Sequence, residues 1–347
     1  MCNFFLNLVA DLLNSLKNSN VLITGGCGFI GSEITKQLSE LGSNVTVFDN
    51  LSSGKEEYIA NLSNVTLVKG DQTNESQVID VVKNQEYIIN LTALPFIPDS
   101  YYYPKEFFDV NVNATIILLL AAKNQKNLKR FIHISSSEIY GSSRISPMDE
   151  NHPTIPQSTY AVSKLAGERV AYTMYKEHEI PVVVIRPFNS YGPNITQPYI
   201  IPEIVQQLFK SDVLRLGNVN SKRDFTYVSD TAKGMILSLV ADDIVGETIN
   251  IGSEKSISIN DLAKIISEIM GKDIDIEIDS SRLRPYDVKT LVCDYRKAYR
   301  LLGWKPETSI KTGLKNTIDW LKSNEINFTS PFKNWPSQYR NNSNNHD

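Results

Sequence analysis

The chain has 347 residues, of which 41% are hydrophobic and 21% are charged, and its formal net charge is −4. These values are typical of a globular protein and exclude collagen, coiled coil and intrinsic disorder. The absence of excess positive charge argues against a nucleic-acid partner, and no apolar run reaches the ~20 residues that a membrane span needs. Three scattered cysteines indicate a reducing cytoplasm, and the four histidines lack metal-ligand spacing, so we expect no metal.

The first 19 residues precede the first predicted strand and carry an apolar stripe at helical spacing. The stripe consists of Phe5, Leu8, Val9, Leu12, Leu13 and Leu16. Because no basic region precedes it, we do not interpret it as a secretory signal. It is either a helix for a membrane surface or partner, or a helix docked on this chain or on a second copy, and we favour docking.

From Asn20 onward, short apolar runs alternate with helical patterns, the first predicted helix covering residues 29–41. The predicted strands are residues 21–23, 45–48, 65–68, 87–89, 131–134 and 182–185. Runs that are apolar on both faces indicate a parallel sheet covered by helices on both sides. Because crossovers are right-handed, we predict an α/β fold with a doubly wound parallel sheet of the Rossmann type.

The pattern changes after Arg186, where prolines and glycines cluster and the helices shorten. We therefore predict a Rossmann domain over residues 20–188 and a smaller, mainly substrate-binding domain over residues 189–330. Strands within residues 223–252 are expected to return to the first sheet, with Thr248–Ile251 as one of them. Residues 331–347 form a polar tail, whose end we expect to be frayed.

A glycine-rich turn follows the first strand, where Gly26, Gly28 and Gly31 fit G-x-G-x-x-G and Gly25 adds a further glycine. Glycines at this spacing permit a tight turn, close approach of the backbone to a pyrophosphate, and close packing of helix on strand. The helix N-terminus adds amide donors and a favourable dipole. The turn therefore predicts a dinucleotide site.

Asp49 ends the second strand, where a carboxylate can accept hydrogen bonds from an adenosine ribose 2′-hydroxyl. It would repel a 2′-phosphate, so we expect NAD rather than NADP. The alternative is that Asp49 caps the next turn. Asp71, after the third strand, is either a ligand of the adenine amino group or an ordinary turn aspartate.

Tyr160 and Lys164 lie one turn apart in a predicted helix, so their side chains share a face. A phenol with a pKa of roughly 10 is a poor base at neutral pH, and a neighbouring lysine cation lowers that pKa. We expect Tyr160 to remove a hydroxyl proton while hydride leaves the same carbon. Ser136 follows the fifth strand, and its hydroxyl can bond the substrate oxygen.

The glycine turn, Asn90-Leu91-Thr92-Ala93, Ser136 and the Tyr160–Lys164 pair together resemble the extended short-chain dehydrogenase/reductases. These are the NAD-dependent epimerases and dehydratases of nucleotide sugars, and the likeness covers roughly residues 20–325. It implies that Tyr160 is the base and that Lys164 binds the nicotinamide ribose. The cofactor-binding residues that we predict are Gly25, Gly28, Phe29, Ile30, Gly31, Asp49, Asn50, Asp71, Gln72, Leu91, Thr92, Ala93, Tyr160 and Lys164.

All branches of this family begin by oxidising the sugar at C4, and a further carboxylate distinguishes their later steps. Ser136-Ser137-Glu138 resembles the triplet of the 4,6-dehydratases. That resemblance implies that Glu138 removes the C5 proton and that Ser137 assists the loss of water from C6, before hydride returns to C6. Sugar-acid decarboxylases carry a similar triplet. The other interpretation of Glu138 is a structural acid bonded to backbone or ribose.

Residues 93–101, 186–193 and 282–285 are similar to bacterial UDP-N-acetylglucosamine 4,6-dehydratases, whereas residues 284–288 are more like 4-epimerases. We therefore expect an NAD-dependent 4,6-dehydratase of a UDP- or dTDP-hexose, with a UDP-sugar 4-epimerase as the alternative. A UDP-glucuronate decarboxylase or a non-catalytic NAD-binding protein is less favoured.

The resemblance also implies how the nucleotide end is held, with Arg223 and Arg284 on the diphosphate, Asn189 on a phosphate or sugar oxygen, and residues 214–216 beside the base. Ser100 either contacts sugar hydroxyls or caps a helix. The substrate-binding residues that we predict are Ser100, Ser136, Asn189, Arg223, Arg284 and Asp287. Family relatives dimerise through two helices per subunit, corresponding to residues 104–123 and 159–178, so we expect a homodimer.

Overall fold

The computed structural model describes residues 12–324 together with Phe328 and Phe332. The strands in this part of the chain are β1 Asn20–Thr24, β2 Asn44–Asp49, β3 Val65–Lys69, β4 Tyr87–Asn90, β5 Arg130–Ile134, β6 Val182–Pro187, β7 Asn189–Tyr191, β8 Val213–Leu216, β9 Lys222–Tyr227, β10 Thr248–Ile251, β11 Ser256–Ser258 and β12 Asp275–Ile278.

Helices lie between these strands and after the last of them. They are α1 Phe29–Glu40, α2 Glu75–Val82, α3 Ile97–Ser100, α4 Pro104–Phe108, α5 Ala114–Lys123, α6 Thr159–His178, α7 Ile200–Lys210, α8 Val228–Val240, α9 Ile259–Met270, α10 Arg296–Leu302 and α11 Ile310–Ser323. None of the helices in the described ranges is both long enough and apolar enough to cross a membrane.

Seven strands form the central sheet in the order β10-β6-β5-β4-β1-β2-β3, and each neighbouring pair is parallel. Apart from the edge strand β3, whose side chains are half-buried or exposed, these strands are largely buried on both faces, which explains their continuous apolar sequences. The direction of winding reverses between β1 and β4, and ligands of doubly wound sheets bind at such a reversal. The predicted α/β fold with a doubly wound parallel sheet is confirmed.

The expected return of the chain to this sheet occurs at β10, which pairs with β6. Strand β9, which lies in the same predicted region, instead forms a three-stranded sheet with β7 and β11. A buried carboxylate explains this placement: Asp224 of β9 accepts hydrogen bonds from the backbone amides of Ser253, Glu254 and Cys293. A charged side chain with such partners suits a small sheet better than an apolar central one.

Separate apolar clusters pack the two parts of the molecule. The faces of the central sheet are covered by clusters that include Ile23, Ile132 and Phe131. Another cluster, which includes Leu208, Leu262 and Leu314, lies among α7, α9 and α11. The cluster among α7, α9 and α11 gives the smaller, later part of the chain a core of its own. A cleft lined by residues of both parts lies between them.

The described end of the N-terminal segment is docked on its own chain. Leu16 is fully buried in the cluster that contains Ile23, and the hydroxyl of Ser43 donates to its carbonyl oxygen at 2.9 Å. Leu13 packs on the same cluster. Leu12 is half-buried, and the other residues of the predicted stripe, Phe5, Leu8 and Val9, lie outside the described residues.

We expect Leu16→Ala to lower the free energy of unfolding by roughly 2–4 kcal/mol, because it removes a fully buried side chain and leaves a cavity. Urea titration followed by circular dichroism measures this difference. The control is Lys17→Ala, an exposed neighbour whose substitution should change stability by less than about 0.5 kcal/mol. Equal stability of the two variants would contradict the docking of this segment.

Candidate active site

The turn between β1 and α1 has the geometry of a dinucleotide cradle. Gly25 has a φ of +71°, which favours glycine, and a Cβ on Gly31 would lie 2.1 Å from the carbonyl oxygen of Gly25. The backbone before α1 is therefore exposed to a cleft that Gly28 also lines. These residues fit a pyrophosphate lying against the N-terminus of a helix.

Asp49 lies in this cradle and is largely buried. One carboxylate oxygen accepts from the amide of Cys27 at 2.9 Å, and the other accepts from the amide of Leu51 at 2.8 Å. Burial raises the pKa of Asp49 above its usual value. Asp49 therefore caps the turn that follows β2, as the alternative interpretation predicts. Its carboxylate also lines the cleft, where each oxygen retains a lone pair that can accept from a ribose hydroxyl.

Gln72 is buried and lines the same cleft, and its side-chain amide donates to Asn90 Oδ1 at 3.1 Å. Asp71 is exposed and accepts from the amide of Thr73 at 2.8 Å and from Asn50 Nδ2 at 3.2 Å. Asn50 lines the cleft, whereas Asp71 lies outside the cleft lining. The contact of Asp71 with adenine stays a prediction.

The cleft has two adjoining compartments over the carboxyl ends of the central strands, with volumes of about 340 Å³ and 170 Å³. The smaller one contains the glycine cradle, and the larger one contains Ser136, Glu138 and Tyr160. The wall that both share is formed by Phe29, Ile30, Leu91, Ala93, Pro95 and Tyr199. A dinucleotide in the first compartment would therefore adjoin a ligand in the second.

Helix α6 presents Tyr160 and Lys164 to the larger compartment. The helix begins after Ser158, whose hydroxyl accepts from the amide of Ala161 at 3.1 Å. One turn in, Lys164 Nζ donates to the carbonyl oxygen of Ile134, the last residue of β5, at 2.5 Å. The structure thus brings Tyr160, Lys164 and the end of β5 together, as the sequence spacing predicts.

Burial controls the pKa of both side chains. It raises the pKa of Tyr160 to about 12, although a hydrogen bond with the hydroxyl of Ser136 acts in the opposite direction. It lowers the pKa of Lys164 to about 8. Burial therefore outweighs the lowering of the Tyr160 pKa that we expect from Lys164, whose ammonium is directed at the Ile134 carbonyl.

The triplet after β5 forms a 3₁₀ turn, Ser137–Tyr140, that Ser136 caps by accepting from the amide of Glu138 at 3.2 Å. Ser137 and Glu138 are buried and line the larger compartment. The charge of Glu138 acts on the pKa of Tyr160 and on that of Arg223. Its carboxylate therefore lies close to both the phenol and the cationic end of the compartment.

That cationic end consists of Arg223 and Arg284, with Asp287 between them. Asp287 Oδ1 lies 3.3 Å from Arg223 Nη2 and 3.8 Å from Arg284 Nη1, and its other oxygen accepts from Asn218. Burial lowers the pKa of Arg223, so its guanidinium is poorly hydrated and would gain from an anionic ligand. Asp287 thus holds both arginines at the cleft wall.

The remaining predicted substrate residues differ in their placement. Asn189 lines the compartment, and its buried Oδ1 has no hydrogen-bond partner in the described part of the chain. In the segment 214–216, Leu216 lines the cleft, whereas Arg215 is exposed and pairs with Glu277.

Ser100 requires a correction. It is fully buried, its hydroxyl donates to the carbonyl oxygen of Ile97 at 2.7 Å, and it lies outside the cleft lining. The hydrogen bond within its own turn leaves the hydroxyl away from the cleft, and Ser100 does not cap the helix that begins at Pro104, whose N-cap is Tyr103.

Two contributors to the site were missed by sequence reasoning. Residues 104–123, predicted as one helix, contain a π-helical turn at Asp109–Asn113, and such turns often occur at functional sites. There Asn111 accepts from the amide of Leu94 at 2.9 Å and donates to Ser163 Oγ at 2.9 Å. An asparagine within an apolar helical run was the available signal. Tyr199, in the shared wall, carried no such signal.

Comparison with known proteins identifies the family. The family model for GDP-mannose 4,6 dehydratase matches residues 22–317. The chain belongs to this family. The resemblance to the NAD-dependent epimerases and dehydratases of nucleotide sugars is therefore confirmed.

Relatives with both chemistries match the chain over most of its length. A putative UDP-glucose 4-epimerase of Methanocaldococcus jannaschii is 32% identical over 88% of this chain and 99% of its own. A dTDP-glucose 4,6-dehydratase of Streptomyces niveus is 31% identical over 88% of this chain and 93% of its own. The UDP-glucuronic acid 4-epimerase of Bacillus cereus, solved with UDP-glucuronic acid and NAD, superposes with a TM-score of 0.81 at 30% identity, covering 88% of this chain and 99% of that one.

We expect Lys164→Met to raise the free energy of unfolding at pH 7 by roughly 1–3 kcal/mol, because methionine fills similar space without a buried charge. An unfolded lysine keeps its proton up to a pH of 10.5, whereas Lys164 in the folded chain loses it near a pH of about 8. Folding therefore releases a proton within that window, and wild-type stability rises with pH through it.

The advantage of the variant should accordingly shrink between pH 8 and pH 10, as followed by chemical denaturation at several pH values. Lys176→Met, at an exposed position of the same helix, is the control and should show no such trend. A constant difference across the pH range would show that Lys164 is not buried as an ammonium.

Proposed function

We propose that this protein is an NAD-dependent nucleotide-sugar 4,6-dehydratase that acts on a UDP- or dTDP-hexose. The observation that carries the proposal is the position of Glu138, a buried carboxylate that lines the larger compartment beside Ser136 and near Tyr160. An epimerase needs no such carboxylate, whereas a dehydratase needs one to remove the proton from C5.

The smaller compartment fits the adenosine diphosphate end of NAD. Its glycine turn accepts the pyrophosphate, and the carboxylate of Asp49 is available to a ribose hydroxyl and unfavourable to a 2′-phosphate. Bound NAD supplies the hydride acceptor for oxidation at C4 and the hydride donor for reduction at C6. Leu91, Ala93 and Tyr199 line both compartments, so the nicotinamide end of NAD would pass beside them into the larger compartment, next to the sugar.

Tyr160 is the proposed base for the C4 hydroxyl. Ser136, hydrogen-bonded to the phenol, can bond the same substrate oxygen and align it. Lys164 is buried and anchored to Ile134, one turn from the phenol, and its ammonium is placed to donate to a ribose hydroxyl. The dry environment strengthens each of these electrostatic interactions relative to water.

Glu138 and Ser137 are proposed to carry the later steps of the reaction. A ketone at C4 makes the C5 hydrogen acidic, and Glu138 removes that proton. Ser137, the neighbour of Glu138 in the 3₁₀ turn, donates a hydrogen bond to the departing C6 oxygen. Arg223 and Arg284 would bind the diphosphate, with Asn189 supplying a polar contact nearby.

The second candidate is a UDP-sugar 4-epimerase. It is favoured by the segment Arg284-Pro285-Tyr286-Asp287-Val288, in which Asp287 holds the two arginines, and by the epimerases among the similar proteins. In that reaction the ketosugar turns over in the cleft and hydride returns to the opposite face of C4. Glu138 would then be a structural acid.

We also propose a homodimer formed through α4, α5 and α6. Each of these helices leaves large apolar side chains exposed: Phe108 on α4, Leu120 on α5, and Val162 and Tyr172 on α6. Helices α5 and α6 pack on a common buried cluster, so the two helices lie side by side. Such a surface suits contact with a second copy.

We expect the protein to convert one of UDP-N-acetylglucosamine, UDP-glucose or dTDP-glucose to a product lighter by one water. Mass spectrometry distinguishes this result from loss of carbon dioxide from UDP-glucuronate. An unchanged mass together with a second anomeric signal in the NMR spectrum would establish the epimerase. Glu138→Gln should abolish water loss and C5 hydrogen exchange with deuterated water, while oxidation at C4 persists.

The control for Glu138→Gln is Glu75→Gln, an exposed carboxylate far from the cleft, which should leave the rate unchanged. An equally fast dehydratase after Glu138→Gln would remove Glu138 from the mechanism and leave the first oxidation step intact.

Tyr160→Phe should reduce turnover by roughly 100- to 10,000-fold, because it removes the general base of the step that both candidate reactions share. Substrate and NAD should still bind, since the ring that packs against Phe107 is retained. Rates from product formation and affinities from calorimetry separate the two effects. A fully active variant would contradict the shared oxidation step.

A further inference from the structure

Glu168 and Arg186 form an ion pair inside the molecule, outside the cleft lining. Arg186 Nε and Nη2 donate to the two carboxylate oxygens of Glu168 at 2.9 and 2.6 Å, and both side chains are at most 2% exposed. The two-point contact fixes the orientation of each group. Glu168 lies one helical turn after Lys164, so the pair begins directly behind the proposed catalytic lysine.

The same arginine reaches the turn that carries Glu138. Arg186 Nη1 donates to the phenol oxygen of Tyr140 at 2.6 Å, and the guanidinium lies 4.9 Å from the centre of that ring. The phenol in turn donates to Asn250 Oδ1 at 2.8 Å. Because Tyr140 ends the 3₁₀ turn, this network joins α6, β6 and β10 to the segment Ser136–Glu138.

The charged and titratable groups around Lys164 make Glu168 important for its protonation. On α6, Glu168 favours the ammonium form and so opposes the effect of burial on the pKa of Lys164. From β5, His133 faces the same lysine, and burial together with Lys164 lowers the pKa of His133 well below its usual value, which leaves the imidazole neutral. Ile134 contributes a carbonyl oxygen.

The groups that face the pair itself are few. Arg169 reaches Glu168 Oε1 at 3.1 Å from the surface. Glu150 offers its backbone carbonyl to Arg186 at 3.2 Å, while its side chain accepts from the amide of Asn250 at 2.7 Å.

A buried ion pair is a weak source of stability, because the cost of removing two charges from water offsets their attraction. Apolar side chains could fill the same space between α6 and β6. The ion pair lies between α6, which carries Lys164, and the 3₁₀ turn, which carries Glu138. We therefore expect its charges to have a function in the site that apolar packing could not provide.

We propose that Glu168 is a positioning residue that keeps Lys164 protonated and oriented and, through Arg186 and Tyr140, aligns the turn that bears Glu138. This inference rests on the proposed role of Tyr160 and Lys164 in oxidation at C4. According to this inference, the contact between Glu168 and Arg186 links the two parts of the site, which are α6 with Tyr160 and Lys164 and the 3₁₀ turn with Glu138.

The test is Glu168→Gln, which keeps the shape of the side chain and an oxygen for Arg186 but removes the negative charge. We expect kcat measured at about pH 9.5 to fall by about tenfold while KM for the nucleotide sugar changes by less than about twofold, because above a lysine pKa of about 8 a drop of one unit in that pKa reduces the protonated fraction about tenfold. In the plot of kcat against pH, the fall in kcat that accompanies deprotonation of Lys164 should move to lower pH by about one unit.

Matched controls separate this effect from a general loss of structure. Arg169→Gln removes the exposed partner of the same carboxylate, and Glu177→Gln removes an exposed carboxylate of the same helix. Both should retain the rate and pH profile of the wild type. Glu168→Asp keeps the charge and should restore the pH profile, with part of the rate.

Unchanged kcat and pH profile in Glu168→Gln, with Lys164→Met inactive, would overturn the inference and leave the proposed function standing. An active Lys164→Met would overturn the proposed function instead. If Glu168→Gln does not fold, Arg186→Lys provides the measurement, because it keeps the charge but loses the two-point contact. Its water loss should slow more than its C4 oxidation, and equal slowing of both steps would refute the alignment of Glu138.

Discussion

The hydrogen bond from Lys164 to the carbonyl oxygen of Ile134 determines the geometry of the whole catalytic cluster. It joins the first turns of α6 to the end of β5, and it does so at a buried position where both groups need a partner. Tyr160 lies one turn before the lysine, and Ser136 lies two residues after Ile134. A single contact between a helix and a strand end therefore places a phenol, an ammonium and a hydroxyl within one small volume.

The need to provide partners for buried charge organises the rest of the cleft. Asp49 binds the backbone of the glycine turn, and Asp287 binds the two arginines of the nucleotide end. Asp224 closes the small sheet through three backbone amides. In each case a carboxylate takes part in holding the fold, and two of the three, Asp49 and Asp287, also line the cleft.

The sequence predicts most of the fold because its strands are apolar on both faces and its glycines occur at a fixed spacing. These local signals place Gly31, Tyr160 and Glu138 correctly at the carboxyl edge of the sheet. The errors concern properties that depend on the surroundings of a residue. Ser100 looked available for a sugar, but its turn is packed inside the molecule. The pKa of Tyr160 rises because the site is dry, which no i, i+4 spacing reveals.

Long-range pairing explains the other omissions. Asn111 joins the loop after β4 to α6, and its role depends on a π-helical turn that a predicted regular helix conceals. Arg186 appears in the sequence as part of a motif, yet its partners Glu168 and Tyr140 are separated from it by 18 and 46 residues. Such contacts become visible only when the strands are assembled in their order.

The wall shared by the two compartments limits how an enzyme of this shape can acquire new substrates. A larger or smaller side chain at Phe29, Ile30 or Tyr199 would alter the space on both sides at once. Diversification toward other sugars is therefore expected at the far side of the larger compartment, where Phe188, Asn189 and Leu216 face only the second ligand. Descendants of this chain could in this way exchange one sugar for another while the dinucleotide cradle stays unaltered.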